Sequence, residues 1–188
     1  MNWVLLSSLL GACAILMIFE RLGLPTTLQL KFKGDVKRET RWIAQYGQAA
    51  SALVAAALVW ELDKRNQPAR AASLLIAAFG AAIVGRVLKQ LLGRVRPNRE
   101  HAGKFLGPTW RHDNLRESFP SNHTASAVAM SAVLAQMYPA AAPTFWALGV
   151  ACALLRYLLD AHWPSDVMAG VALGYASAIV TLGALHLV

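Results

Sequence analysis

The chain is poor in charge, in acidic residues above all, and in cysteine. Its 188 residues include only 10 Asp and Glu, and charged residues make up 15% of the total, against about 25% in an ordinary soluble domain. Sparse charge excludes a coiled coil, and a hydrophobic fraction of 56% excludes intrinsic disorder. The two cysteines, Cys13 and Cys152, both lie in apolar runs, so a secreted disulfide scaffold is excluded as well.

The chain is instead rich in apolar residues, and it carries a net charge of +8. A nucleic-acid-binding protein would hardly be this apolar, so nucleic acid is not an expected partner. A membrane-crossing helix needs about 20 mainly apolar residues, and six segments rich in Ala and Leu meet or approach that length: 3–19, 42–62, 71–92, 122–138, 140–159 and 165–188. The sequence therefore predicts an all-α, polytopic membrane protein, a single domain over 1–188 with six transmembrane helices.

Three details refine this expectation. The span over 122–138 is short and polar at its start. Gly170 and Gly174 form a small-xxx-small pair, which favours close packing inside the monomer over dimerisation. The N-terminus, Met-Asn-Trp, carries no Lys or Arg, so it lacks the basic region of a signal peptide and the first span is expected to be retained.

Positive charge is concentrated at one end of the predicted bundle. With six spans, the first, third and fifth connections share one membrane face, and they and the adjoining helix ends carry fifteen of the 18 Lys and Arg; the other three are Lys64, Arg65 and Arg70. The basic linker over 20–41 has two interpretations. It is either a solvated loop or an interfacial segment that lays Leu28, Leu30, Phe32 and Val36 on the lipid.

The first group of polar residues ends the third span. Ionisable groups in or at the ends of spans are functional candidates because burying them in lipid is unfavourable. Lys89 and Arg96 are seven residues apart, two helical turns, and Pro97 then stops the helix. Two cations at one helix end with no carboxylate nearby predict an oxyanion site. Arg86 and Arg94 are better explained as snorkelling to the headgroups.

The second group, 119–124, reads Phe-Pro-Ser-Asn-His-Thr and opens the fourth span. A Pro-Ser start leaves free backbone N–H groups at the positive end of the helix dipole, which is a phosphate-binding arrangement. Ser121 and His123 would then lie beside the anion. A lone histidine at a span end is more often only an interfacial residue, so this signal alone is weak.

The third group contains Arg156, His162 and Asp166. Asp166, four residues after His162, can accept from its Nδ1–H, as the orienting acid does in a nucleophile–base–acid relay. The Nε2 of a neutral imidazole held in this way is a nucleophile. Asp160 could pair with Arg156 at i,i+4, which would make that arginine structural.

Taken in order, the three groups resemble the signatures of a known family. Lys89-x6-Arg96-Pro97, Pro120-Ser121-Asn122-His123 and Arg156-x5-His162-x3-Asp166 are similar to those of the type 2 phosphatidic acid phosphatase superfamily, which includes the vanadium haloperoxidases. The six-span layout matches its membrane lipid phosphatase branch. Two positions depart from the pattern. Asn122 stands where the family usually has Gly, and Leu155 where it usually has Ser before the arginine.

The resemblance implies an integral membrane lipid phosphatase that works through a phosphohistidine. The implied catalytic residues are His162 as nucleophile, Asp166 as its orienting acid, and His123 as general acid and then base; the implied phosphate-binding residues are Lys89, Arg96, Ser121, Asn122 and Arg156. No metal or cofactor is implied. Substrates of the expected kind are phosphatidic acid, phosphatidylglycerophosphate, a polyprenyl diphosphate or a lipid A phosphate, drawn from the bilayer.

The sequence is compatible with other activities. A lipid phosphotransferase would use the same site with an acceptor hydroxyl in place of water. A non-catalytic lipid-binding protein is disfavoured because His123, His162 and Asp166 are all present, and a haloperoxidase because its relatives are soluble. The resemblance implies a multi-pass protein of the cell (inner) membrane with its active site facing the periplasm or exterior, whereas the Lys and Arg bias predicts the cytoplasmic side.

Overall fold

The structure, a computed structural model, describes residues 2–28, 33–63, 67–109, 111, 113–159 and 162–186. These residues form seven α-helices, two 3-10 turns at Gln45–Gly47 and Pro139–Ala141, and one isolated β-bridge between Arg94 and Phe105. The helices are α1 (Trp3–Arg21), α2 (Gly34–Ala44), α3 (Ala49–Leu62), α4 (Gln67–Leu92), α5 (Asn122–Met137), α6 (Ala142–Leu158) and α7 (Pro164–Ala184). The predicted all-α class is confirmed.

The number of spans is four or five on the described residues, and the predicted six are not confirmed. Four stretches are long and apolar enough to cross a bilayer: Trp3–Arg21, Pro68–Leu92, Pro139–Leu158 and Pro164–Ala184. A fifth is reached if the bent pair Gly34–Gly47 and Ala49–Leu62 counts as one span. The chain is therefore a multi-pass membrane protein by the length and composition of its helices.

The predicted span over 42–62 is the one that the structure breaks. The pair on either side of the break is bent by 65°, and Gln48 is extended between them with φ −90° and ψ 160°. Gly47 explains the position of the bend, because a Cβ there would lie 1.9 Å from the carbonyl oxygen of His123. The bend thus brings the chain against the first turn of α5.

Helix α5 is short and lies at the centre of the bundle. All of residues 124–134 are buried, and α4, α6 and α7 pack around them. Gly170 and Gly174 let α7 approach closely, since a Cβ at Gly174 would lie 2.2 Å from the Ala125 carbonyl oxygen. The predicted packing of these glycines inside the monomer is confirmed, and it holds the starts of α5 and α7 side by side.

The linker over 20–41 is partly helical. Its second half forms α2, which packs against α6. Leu28 and Val36 are 49% and 56% exposed, whereas Leu30 and Phe32 lie outside the described residues. The interfacial role of this segment stays a prediction.

The described part of the loop between α4 and α5 is held by hydrogen bonds across its own backbone. Val95 N–H donates to the Lys104 carbonyl at 3.0 Å, and Ser118 N–H donates to the Arg94 carbonyl at 3.0 Å. Gly93, at φ +57°, closes α4 in the left-handed conformation, and a Cβ there would lie 2.0 Å from the Gly107 carbonyl oxygen. Contacts of Arg94 with Asp166 and of the Val95 carbonyl with the Trp163 indole place the loop against the start of α7.

Candidate active site

A polar pocket of about 390 Å³ gathers residues from all three sequence groups. It is lined by Arg86, Lys89, Arg96, Asn114, Glu117, Asn122, His123, Arg156 and His162. Six of the eight predicted site residues are in that lining. The other two, Ser121 and Asp166, are fully buried behind it.

Lys89 comes from the last turns of α4 and is 7% exposed. Its Nζ donates to the carbonyl oxygens of Glu117 at 2.6 Å and Ser118 at 3.3 Å. An ammonium group has three donors, so one remains for a bound anion.

Arg96 reaches the pocket from the loop and not from the helix. The sequence predicted that it stacks with Lys89 at one helix end, but α4 already stops at Leu92 because Gly93 terminates it. Arg96 Nε donates to the Asn114 carbonyl at 2.6 Å. Burial, together with nearby Arg99, lowers the pKa of Arg96 below its ordinary value, yet a guanidinium remains charged at physiological pH.

Arg156, near the end of α6, supplies a third cation, which is half-buried. Its Nε is buried and has no acceptor within the described ranges. Asp160, its alternative partner, lies outside the described residues. A buried donor without a partner is unfavourable unless a ligand or water accepts from it, so this guanidinium suits an anionic ligand.

His123 lies in the first turn of α5. Ser121, the N-cap residue, makes no capping bond to a backbone N–H of that turn; its hydroxyl instead accepts from the Thr124 hydroxyl at 3.0 Å. The first backbone N–H groups of α5 are at the positive end of the helix dipole. Asn122 and His123 therefore line the pocket at the start of α5. The contact of Ser121 with a phosphate stays a prediction.

Asn122 has a second contact outside the pocket. Its Nδ2 donates to the Ala82 carbonyl on α4 at 3.2 Å. Gly85 accommodates this side chain, since a Cβ there would lie 2.3 Å from Asn122 Oδ1. Asn122 is thus accommodated within helical geometry at a position where the resemblance expects glycine, and it ties α5 to α4.

His162 is 2% exposed and lies between α6 and α7. Its Nδ1 is 2.9 Å from the Ser118 carbonyl oxygen but 3.7 Å from Asp166 Oδ2. The predicted direct bond to Asp166 is thus replaced by one to a backbone carbonyl. Since a carbonyl only accepts, Nδ1 carries the proton and Nε2 keeps its lone pair. Burial lowers the pKa of His162 to about 3, so the ring is neutral at physiological pH.

Asp166 is held by three donors. Arg94 Nη1 donates to its Oδ1 at 2.5 Å, while the Trp163 N–H at 2.9 Å and the Ser118 hydroxyl both donate to Oδ2. The prediction that Arg94 snorkels to the headgroups is wrong, because Arg94 is 2% exposed and ion-paired. Ser118 connects the acid to the histidine, with its hydroxyl on Asp166 and its carbonyl on His162.

The comparison with known protein families covers this whole arrangement. The model of the PAP2 superfamily matches residues 70–186, which include Lys89, Asp166 and everything between them. The chain belongs to the PAP2 superfamily. The resemblance that the three sequence groups indicated is confirmed.

Individual PAP2 relatives are about one-third identical. A lipid A 1-phosphatase of Rhizobium johnstonii is 32% identical over 111 residues, 58% of this chain and 46% of that protein. A lipid A 1-phosphatase of Rhizobium etli is 33% identical over 104 residues, 55% and 45% of the two chains. A decaprenylphosphoryl-5-phosphoribose phosphatase of Mycolicibacterium smegmatis is 32% identical over 133 residues, 69% and 68%. The match spans about half the length of the two lipid A 1-phosphatases, and no solved structure matches significantly.

Several residues of this PAP2 site gave no signal of their own in the sequence. Glu117 and Asn114 line the pocket, and Ser118 and Arg94 contact Asp166. Arg94 and Ser118 lie close to the motifs in sequence, and this closeness was the only sign that they belong to the site. Within the described part of the chain, no cluster of three or more His, Cys, Asp or Glu has the geometry of a metal site.

Proposed function

We propose that this PAP2 protein is an integral membrane phosphatase that hydrolyses a phosphomonoester or diphosphate of a membrane lipid. The observation that carries the proposal is one pocket lined both by the cations Lys89, Arg96 and Arg156 and by two histidines, His123 and His162. Three cations suit the oxygens of a phosphoryl group and the charge that develops on them during transfer. The two histidines supply the nucleophile and the acid–base group.

In the first step His162 Nε2 attacks phosphorus. The N–P bond forms as the P–O bond to the lipid breaks, and His123 gives its proton to the leaving oxygen. The product is a phosphohistidine whose ring carries a positive charge, with Nδ1–H donated to the Ser118 carbonyl. Phosphoryl transfer depends chiefly on positioning and charge stabilisation, which the cations and the first amides of α5 supply.

In the second step water releases the phosphate. His123, now neutral, takes a proton from a water molecule whose oxygen attacks phosphorus. The N–P bond breaks, and its electron pair returns to His162 Nε2. The histidines thereby regain their starting protonation states, and inorganic phosphate leaves.

An apolar cavity next to the phosphate pocket supports a lipid substrate. It has a volume of about 320 Å³ and shares Asn122 and His123 with the polar pocket; the rest of its lining is Gly47, Gln48, Ala49, Ala52, Ala78, Phe79, Ala82 and Ser126. A phosphate with an adjoining hydrocarbon chain fits such a pair of cavities. The relatives' names, lipid A 1-phosphatase and decaprenylphosphoryl-5-phosphoribose phosphatase, support the same class, in which we include phosphatidic acid and phosphatidylglycerophosphate.

For the membrane we propose six crossings of the cell (inner) membrane. They comprise the four long helices, the bent α2–α3 pair and α5, which is buried among its neighbours and does not need a lipid-facing surface. The pocket then lies at one membrane face, and we propose that this face is periplasmic or exterior.

The test is hydrolysis of a panel of lipid phosphates by the purified protein. The wild type is expected to release inorganic phosphate, and His162→Ala to lose at least about a thousandfold in rate. His101→Ala, at an exposed histidine of the loop, is the matched control and keeps wild-type activity. Full turnover by His162→Ala would refute the assignment of His162 as the nucleophile. Phosphate recovered on an added lipid alcohol would identify a phosphotransferase instead.

A further inference from the structure

A buried ion-pair cluster lies behind the phosphate pocket and does not line it. It consists of Glu20 at the end of α1, Arg94 in the loop, and Ser165 and Asp166 at the start of α7. The side chains of Arg94 and Glu20 are each 2% exposed, and that of Asp166 is fully buried. Burying charged groups this deeply is strongly unfavourable unless they are paired. Each member of the cluster therefore depends on the others.

Arg94 is fixed on every side of its guanidinium. Nη1 donates to Asp166 Oδ1 at 2.5 Å and to the Ser165 hydroxyl at 2.6 Å, and Nη2 donates to Glu20 Oε2 at 2.7 Å. The rings of Phe105 and Trp163 lie 5.2 and 5.3 Å from its central carbon. This arginine is therefore oriented towards the acid and away from the phosphate pocket.

Glu20 completes the cluster from another helix. Its Oε1 accepts from the Ser165 N–H at 2.9 Å, and its Oε2 accepts from the Ser165 hydroxyl at 2.5 Å. A carboxylate is favourable at the N-terminus of α7, where backbone N–H groups have no helical partner. Glu20 thus joins α1 to the turn that carries His162 and Asp166.

The charges of the cluster complement the reaction. Two carboxylates and one guanidinium leave one net negative charge beside His162, whose ring becomes positive when Nε2 bonds to phosphorus. Arg94 also occupies Asp166 Oδ1, so Oδ2 is left for the Ser118 hydroxyl, and the Ser118 carbonyl accepts from His162. The cluster therefore stabilises the positive charge that develops on His162 and also fixes the orientation of its ring.

We propose that Arg94 and Glu20 are positioning residues of the phosphatase reaction, acting on His162 through Asp166 and Ser118. This inference rests on the proposed function. Glu20 sets the net charge and holds Arg94, and Arg94 sets the orientation of the acid. Neither touches the substrate, so their effect falls on the rate of phosphohistidine formation and not on phosphate binding.

The decisive variant is Glu20→Gln, which keeps the shape and an acceptor oxygen but removes the charge. Arg94→Lys keeps the charge but loses the paired donors. In a single-turnover experiment with ³²P-labelled lipid phosphate, both are expected to form phosphohistidine at least about tenfold more slowly than wild type, with the inhibition constant of inorganic phosphate within about twofold of wild type. Glu100→Gln and Arg111→Lys, at exposed positions of the loop, are the matched controls and keep the wild-type rate.

The amplitude and the rate constant of that experiment separate two roles. The amplitude counts correctly folded sites, whereas the rate constant reports on the nucleophile within each site. A merely structural role would lower the amplitude of Glu20→Gln and leave its rate constant unchanged, and that result would overturn the inference. The double variant is expected to be no slower than Arg94→Lys alone, because the two residues act as one group.

The outcomes also separate this inference from the function on which it rests. If the wild type forms no phosphohistidine and releases no phosphate, the proposed function fails and the positioning role fails with it. If the wild type is active and Glu20→Gln has the wild-type rate constant, only the positioning role is refuted. Should Arg94→Lys fail to fold, the charge-neutral Glu20→Gln variant decides alone.

Discussion

At the scale of the residue, the most informative group is His162, because its surroundings determine its protonation. The ring is 2% exposed, and its Nδ1 bonds to a backbone carbonyl oxygen while the Asp166 carboxylate lies farther away, at 3.7 Å. Burial is the largest effect, and together with the positive charges of Lys89 and Arg96 it outweighs the nearby Asp166 carboxylate and lowers the pKa of His162 to about 3. His162 is therefore in its neutral, nucleophilic form at physiological pH.

This pKa predicts a specific loss of stability in acid. The unfolded chain binds a proton at the ordinary histidine pKa of about 6.5, whereas the folded chain does so only near 3. The stabilisation is present above pH 6.5 and is lost as the pH falls towards 3. It amounts to about 2 kcal/mol between pH 7 and pH 5. Thermal unfolding at the two pH values should show a smaller drop for His162→Gln than for wild type or for His186→Gln, at an exposed histidine. Equal drops in all three would contradict this protonation state.

The residues of the three motifs could be predicted from the sequence because each contributes a charge or an imidazole at a fixed spacing. Lys89, His123 and His162 all line one pocket, as those spacings indicated. Arg94 and Glu20 could not be predicted, because their pairing joins positions 74 residues apart. Only the packing of α1 on α7 brings that carboxylate to that guanidinium, and no local pattern encodes such a contact.

At the scale of the element, long apolar runs were easier to predict than breaks. The starts and ends of α1, α4 and α7 follow the runs over 3–19, 71–92 and 165–188 to within a few residues. The bend at Gln45–Gly47 could not be foreseen, because it depends on a contact with a helix that follows 75 residues later. Composition there is apolar and gives no warning of the break, although the glycine that permits the contact is present.

The bend makes Gly47 a residue on which the geometry of His123 depends. In Gly47→Ala the new Cβ would lie 1.9 Å from the His123 carbonyl oxygen, so the start of α5 must shift. We expect at least a tenfold loss of phosphatase activity, because about 1 Å of displacement can cost about a hundredfold, together with about 1–3 kcal/mol of stability. Gly11→Ala, which has no neighbour within 4 Å of its Cβ, is the control and keeps full activity. An active Gly47→Ala protein would show that His123 does not depend on this contact.

At the scale of the whole molecule, the distribution of charge and the proposed orientation oppose each other. Fifteen of 18 Lys and Arg belong to the pocket face by sequence, which by the positive-inside rule favours the cytoplasm. Four of these cations, Lys89, Arg94, Arg96 and Arg156, have roles inside the fold, in the pocket or in the ion pair with Glu20 and Asp166. Eleven still outnumber the three at the other face, so the bias is reduced but not removed.

The orientation can be measured on single cysteines, because the natural ones give little background: Cys13 and Cys152 are 7% and 0% exposed. Lys104 is exposed in the loop over the pocket, and Ala140 is exposed in the turn at the opposite end of α5. We expect a membrane-impermeant maleimide to label Lys104→Cys in intact cells and Ala140→Cys only after permeabilisation. The reverse pattern would place the pocket in the cytoplasm. It would mean that the surface cations direct insertion, and that the lipid phosphate is drawn from the inner leaflet.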